Sequence, residues 1–148
     1  MATNYILSAA GSSNPVLTLA TAVTGDLAIP TLQDVTVNNS VDVFSWTQLN
    51  ESAKLQVPTT ATNSISANIV VENDTFFGAT GATTGSAAKL GLFGLSNAKT
   101  EIDFEINLGT KVISGKGYVT GLAPAVSADS PVWVTPITIT VSGSYTVA

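Results

Sequence analysis

Glu101-Ile102-Asp103-Phe104-Glu105-Ile106-Asn107-Leu108 decides the fold. Ile102, Phe104, Ile106 and Leu108 fall on one side of an extended chain, and Glu101, Asp103, Glu105 and Asn107 on the other. Strict alternation over eight residues specifies a strand with one face buried and one in water. Gly109-Thr110 follows, and then a second run from Lys111 to Thr120, so the spacing predicts a hairpin.

The same period recurs on either side. In Ile137-Thr138-Ile139-Thr140-Val141-Ser142-Gly143-Ser144-Tyr145-Thr146-Val147 the odd positions are apolar except Gly143, which marks a bulge or bend. Pro131 and Pro136 lack a ladder donor and predict an edge or irregular course for Val132-Trp133-Val134. Further strands are expected over Leu17 to Ala20, Val35 to Trp46 and Ser64 to Glu72. Between the last two, Thr47 to Asn63 reads as a long polar inter-strand loop containing Pro58. Asn73 or Asp74 is placed to cap a short turn carrying Phe76 and Phe77, and Ser86 to Leu95 is a second helical stretch. Gly78, Gly81, Gly85, Gly91 and Gly94 weaken both, so at most one short flanking helix is expected. The fold class is mainly β: a sandwich or barrel of about seven strands in a single domain over residues 1–148.

Composition narrows the chemistry. The 148 residues contain neither Cys nor His, which removes disulfides, thiolate and imidazole ligands, and every Ser-His or Cys-His nucleophile pair. Charged residues make up only 10% of the chain, and all five basic residues are Lys. Without Arg there is no bidentate fork for phosphates or guanine edges, and a net charge of −5 repels nucleic acid. Ser and Thr supply roughly a quarter of the residues, well above the usual share. A surface of hydroxyls rather than charges does little to oppose association with other copies. Met1 to Leu7 has no basic region and no long apolar run, so no signal peptide is expected. No run approaches the roughly 20 apolar residues of a membrane span. Synthesis in the cytosol is the resulting expectation.

Candidate sites fail one after another. Gly81 to Gly85 lacks the Lys-Ser/Thr of a phosphate loop, and Gly115-Lys116-Gly117 falls inside a strand. Glu101, Asp103 and Glu105 share a strand face, whereas calcium wants six to eight converging oxygens. Nothing places Glu51 beside Asp74 as an acid–base pair. Trp46, Trp133 and Tyr118 suit a core or a subunit contact better than a stacking platform. The Asn-x-Ser/Thr triplets at Asn38, Asn50 and Asn73 are coincidences of a hydroxyl-rich chain. No catalytic residue, metal or cofactor is expected, and no enzymatic role.

Several longer phrases carry a resemblance. Asp34-Val35-Thr36-Val37-Asn38-Asn39-Ser40-Val41-Asp42-Val43-Phe44-Ser45-Trp46-Thr47 resembles the first long strand of bacteriophage major tail (tail-tube) proteins as it enters their extended loop. Gly115-Lys116-Gly117-Tyr118-Val119-Thr120-Gly121-Leu122-Ala123-Pro124 resembles their penultimate strand. Ser127-Ala128-Asp129-Ser130-Pro131-Val132-Trp133-Val134, with Ile137 to Val147, resembles their final strand, including the late glycine. The match runs over roughly residues 25–148 and consists of strand and glycine patterns rather than a catalytic signature.

What the resemblance implies is a structural virion protein. Six copies would form a ring whose sheets close a β-lined channel, and rings would stack into a tube that DNA traverses without specific binding. Tape-measure and tail-terminator proteins are the implied partners. The extended loop, here Phe44 to Pro58, would contact the next ring through Phe44, Trp46, Leu49, Leu55 and Val57. Such an excursion is expected to be mobile in the free subunit and to order on assembly. The helical region is short and glycine-broken, and the tail type stays open among contractile, non-contractile and gene-transfer particles. A carbohydrate- or surface-binding β-module is the alternative, resting on the aromatic residues and the hydroxyl-rich surface.

Overall fold

Among the described residues seven strands form one antiparallel sheet, in the spatial order Leu27–Ile29, Leu17–Ala20, Ile102–Asn107, Val112–Leu122, Val134–Val147, Leu55–Val70, Leu32–Trp46. The structure is a computed structural model that describes residues 16–29, 32–50, 52–108, 111–129 and 131–148. Its strands are β1 (Leu17–Ala20), β2 (Leu27–Ile29), β3 (Leu32–Trp46), β4 (Leu55–Val70), β5 (Ile102–Asn107), β6 (Val112–Leu122) and β7 (Val134–Val147). Two helices, α1 (Asn73–Phe77) and α2 (Ala87–Ala98), connect β4 to β5. Met1 to Leu7 and the Gly109-Thr110 turn lie outside the described residues.

The period-two pattern does what its chemistry requires. Ile102, Phe104 and Ile106 are fully buried, while Glu101, Asp103 and Glu105 stay exposed. Leu17 and Leu19 face them from β1, and Ile65, Ala67, Ile69, Ile137, Ile139 and Val141 continue the same layer. Phe76, Ala87, Leu92 and Leu95 bring the helices onto that layer, so the core lies between helices and sheet. Among the described residues the sheet does not close into a barrel: short β2 and long β3 stand at its two ends without pairing each other.

Two helices form where at most one was expected. Ser86 caps α2, its hydroxyl accepting from the Lys89 amide at 3.2 Å. Gly91, at φ 68°, breaks α2 after one turn. A Cβ there would meet the Gly78 amide nitrogen at 2.4 Å and the Phe76 carbonyl oxygen at 2.7 Å. The glycine that weakens the helix is what lets α1 pack against it.

The expected loop at Thr47 to Asn63 is mostly strand. β4 already begins at Leu55, and the ladder with β3 runs from Leu32–Ile69 to Trp46–Leu55, leaving only residues 47–54 between the strands. Pro58 is accommodated because β4 bulges there: three steps on β4 separate the pairs that two steps separate on β3 (Val41–Ala61 and Val43–Pro58). Thr59 donates to the Asp42 carbonyl at 3.1 Å and Thr60 to the Asp42 carboxylate at 3.2 Å, which holds the bulge.

Pro136 sits inside β7, opposite Asn68. Val134 exchanges both backbone bonds with Ala125, so Pro136, two residues on, faces the same side of the strand. There β6 has left its regular ladder at Leu122, and the missing donor costs nothing.

Candidate assembly surface

β4 has β7 for a neighbour only as far as Ser64, which pairs with Thr140. Past that point β3 and β4 pair only with each other among the described strands, and they leave the sheet as a two-stranded ribbon. Seven steps from Asn39 to Trp46 make it roughly 25 Å long at about 3.4 Å per residue. Directly opposed residues of an antiparallel pair share a face. Phe44 opposes Val57 and Trp46 opposes Leu55, so these four side chains form one apolar face at the ribbon's end. The Phe44 and Trp46 rings stack at 5.7 Å between centroids. Phe44 is 59% exposed and Leu49, in the turn, fully so. Thus four of the five residues singled out in the sequence come together, and Leu49 crowns them.

The ribbon's base is tied to β7. Between Ser114–Thr146 and Lys116–Ser142, β7 takes four steps to β6's two, and the extra residues bulge around Gly143, at φ 97°. Asn63, 3% exposed, donates from Nδ2 to the Gly143 carbonyl at 2.8 Å. Tyr145 reaches back across the fork, its hydroxyl 2.7 Å from the Asn38 carbonyl and 3.0 Å from that of Ser64. Its ring meets Phe104 edge-on at 6.1 Å. Burial holds the Tyr145 hydroxyl above its ordinary pKa. Only Gly143's break in the alternation hints at this fork in the sequence.

The remaining surface is divided. β3, with 15 residues, presents an edge that no other described strand pairs. The sheet face turned from the core carries Thr36, Asn38, Ser66, Thr138, Thr140 and Thr120, with hydroxyl contacts such as Thr120–Thr140 at 2.8 Å. Phe77 and Phe93 are half-exposed beside buried Phe76. Trp46 is on β3, Tyr118 is on β6 and Trp133 precedes β7, and among the described residues no ring contact joins any two of them. Lys116, 3.2 Å from Asp103 and 4.0 Å from Glu101, pairs with the β5 carboxylates in the open, a contact of small energetic weight. No group of metal-binding side chains occurs among the described residues. Glu51 of the supposed acid–base pair lies outside them.

No protein-family profile matches the chain, and no curated protein does. Solved structures do match. A chain from the tail of an empty gene transfer agent particle, refined with C6 symmetry, is 11% identical, with a TM-score of 0.65 over 89% of this chain and 95% of that one. A chain of the SPP1 tail tube is 11% identical at a TM-score of 0.63, over 93% and 78%. One from the extended sheath–tube complex of PVC, an extracellular contractile injection system, is 14% identical at 0.55, over 88% and 87%. At such identities the likeness establishes the fold alone, one shared with chains of these tail and tube assemblies.

Proposed function

We propose that this chain is the major subunit of a phage-type tail tube, assembling as stacked rings of six around a channel for DNA. The observation that carries the reading is the apolar end of the β3–β4 ribbon, on a tail-tube fold. Phe44, Trp46, Leu55 and Val57 share one face with Leu49 beyond them, and all but the partly buried Leu55 are exposed among the described residues. A contiguous exposed apolar face marks a binding surface, and a ribbon leaving the domain suits contact with a neighbouring ring.

The open edge of β3 supports lateral association. Asp34 and Asp42 are its only charges, and it carries neither the Lys nor the Pro that usually protects such an edge. C6 symmetry in one structural neighbour supports six as the ring number. With no Arg and a net charge of −5, the subunit lacks the cations that would arrest DNA in the channel. Tape-measure and terminator proteins follow as partners, and the virion tail as location.

Replacing Phe44 and Trp46 together by Ser tests the stacking role. The variant is expected to stay folded, because both side chains lie beyond the fork, and to form rings without tubes in negative-stain micrographs. Tubes of normal length from this variant would refute the ribbon as the stacking contact.

A further inference from the structure

Asn63 and Tyr145 stand where the ribbon parts from the sheet, and their bonds cross the fork rather than follow any ladder. Tyr145 is on β7, yet its hydroxyl lies against the Asn38 carbonyl on β3 and the Ser64 carbonyl on β4. Asn63 is on β4, and its amide reaches the Gly143 carbonyl on β7. We propose that these two side chains form a clamp that fixes the direction of the β3–β4 ribbon in the free subunit, in place of the mobile excursion expected from its sequence, so that its apolar face is aimed before assembly. The inference rests on the reading of the ribbon as the ring-to-ring contact.

Three observations carry it. A two-stranded ribbon without further neighbours bends and twists easily at its base, so its heading needs contacts outside its own ladder. The clamp provides them from both strands, and Tyr145 is itself held by the edge-on contact with buried Phe104. Asn63 is also an odd residue for its place. It continues the inward row of Ile65, Ala67 and Ile69, where an apolar side chain would satisfy the core, and among the described residues its Oδ1 has no protein partner. A buried amide left half-satisfied is unfavourable for folding. Its presence is explained if the bond to Gly143 serves placement rather than stability. Gly143 in turn adopts its positive φ, aiming its carbonyl, at a point where no neighbour crowds a Cβ.

The consequence is kinetic. A pre-aimed ribbon meets the next ring without first losing orientational freedom, and preorganisation of this kind accelerates and tightens association. Without the clamp the ribbon would keep its apolar face but sample several headings.

The natural absence of Cys makes a direct test clean. Cysteines introduced at Gln48, in the ribbon's turn, and at Asn97, an exposed position of α2, carry spin labels, and their separation is measured by pulsed electron resonance on dilute monomer. The otherwise unaltered protein is expected to give one narrow distance peak. Tyr145→Phe keeps the ring on Phe104 and removes only the hydroxyl. Asn63→Ala removes the other tie. Each is expected to lower the ratio of aimed to swung headings about fivefold, the weight of one lost hydrogen bond, with an unchanged circular dichroism spectrum. A broad peak in the parent, or the parent's narrow peak in both variants, overturns the clamp. The readout uses monomers, so it stands whether or not tubes form. Failure of the parent to form tubes would count against the assembly reading alone.

Discussion

At the scale of single residues, Phe104 shows how one position fixes a strand's faces. It is fully buried, lies opposite Gly115 and supports the Tyr145 ring. Phe104→Ala should destabilise the domain by about 3–5 kcal/mol, the range for emptying a core aromatic site. Asp103, one residue away on the same strand, is exposed and shares Lys116 with Glu101. Asp103→Asn should shift stability by less than about 0.5 kcal/mol. Chemical denaturation of the two variants checks both values, and equal losses would contradict the assigned faces. This much was legible in the sequence, because alternation and burial are two views of one geometry.

At the scale of elements, β5, β7 and the β3 side of the ribbon were legible for the same reason, while its β4 side was not. The stretch from Leu55 to Asn63 holds Pro58 and four Thr or Asn residues, a composition that reads as loop. It is strand because β3 lies beside it and supplies the partner bonds, and a bulge takes up the proline. Cross-strand register is a tertiary fact that no local pattern carries. Because of that register, Phe44, Trp46, Leu55 and Val57, chosen for their apolar character, share a face. Helix α2 was obscured by Gly91, whose use appears only with α1 packed against it. The ribbon reading has its own check in hydrogen exchange. Alternate amides over residues 43–46 and 55–58 should exchange measurably more slowly than those of the 47–54 turn, and more quickly than those of β4 beyond Ser64, which has strands on both sides. Uniform unprotected exchange from residue 43 to residue 63 would show a loop instead.

At the scale of the whole molecule, charge and shape point the same way. Ten carboxylates against five lysines leave no counterion-release term to draw the chain onto DNA. Electrophoretic titration at physiological salt is therefore expected to show no complex at micromolar protein, and a salt-sensitive complex there would contradict a channel that lets DNA pass. On the proposed function, the long edge of β3 serves contact within a ring and the apolar ribbon contact between rings. Contacts that join unlike patches on identical subunits close into rings or propagate as open assemblies, and a stacked tube needs both. The most direct measurement of the central claim is a cryo-electron microscopy reconstruction of the purified, concentrated protein. Hollow tubes of sixfold rings are expected, with the face formed by Phe44, Trp46, Leu55 and Val57 buried against the next ring. A protein that stays monomeric at every concentration, or a tube in which that face projects into solvent, would contradict that claim.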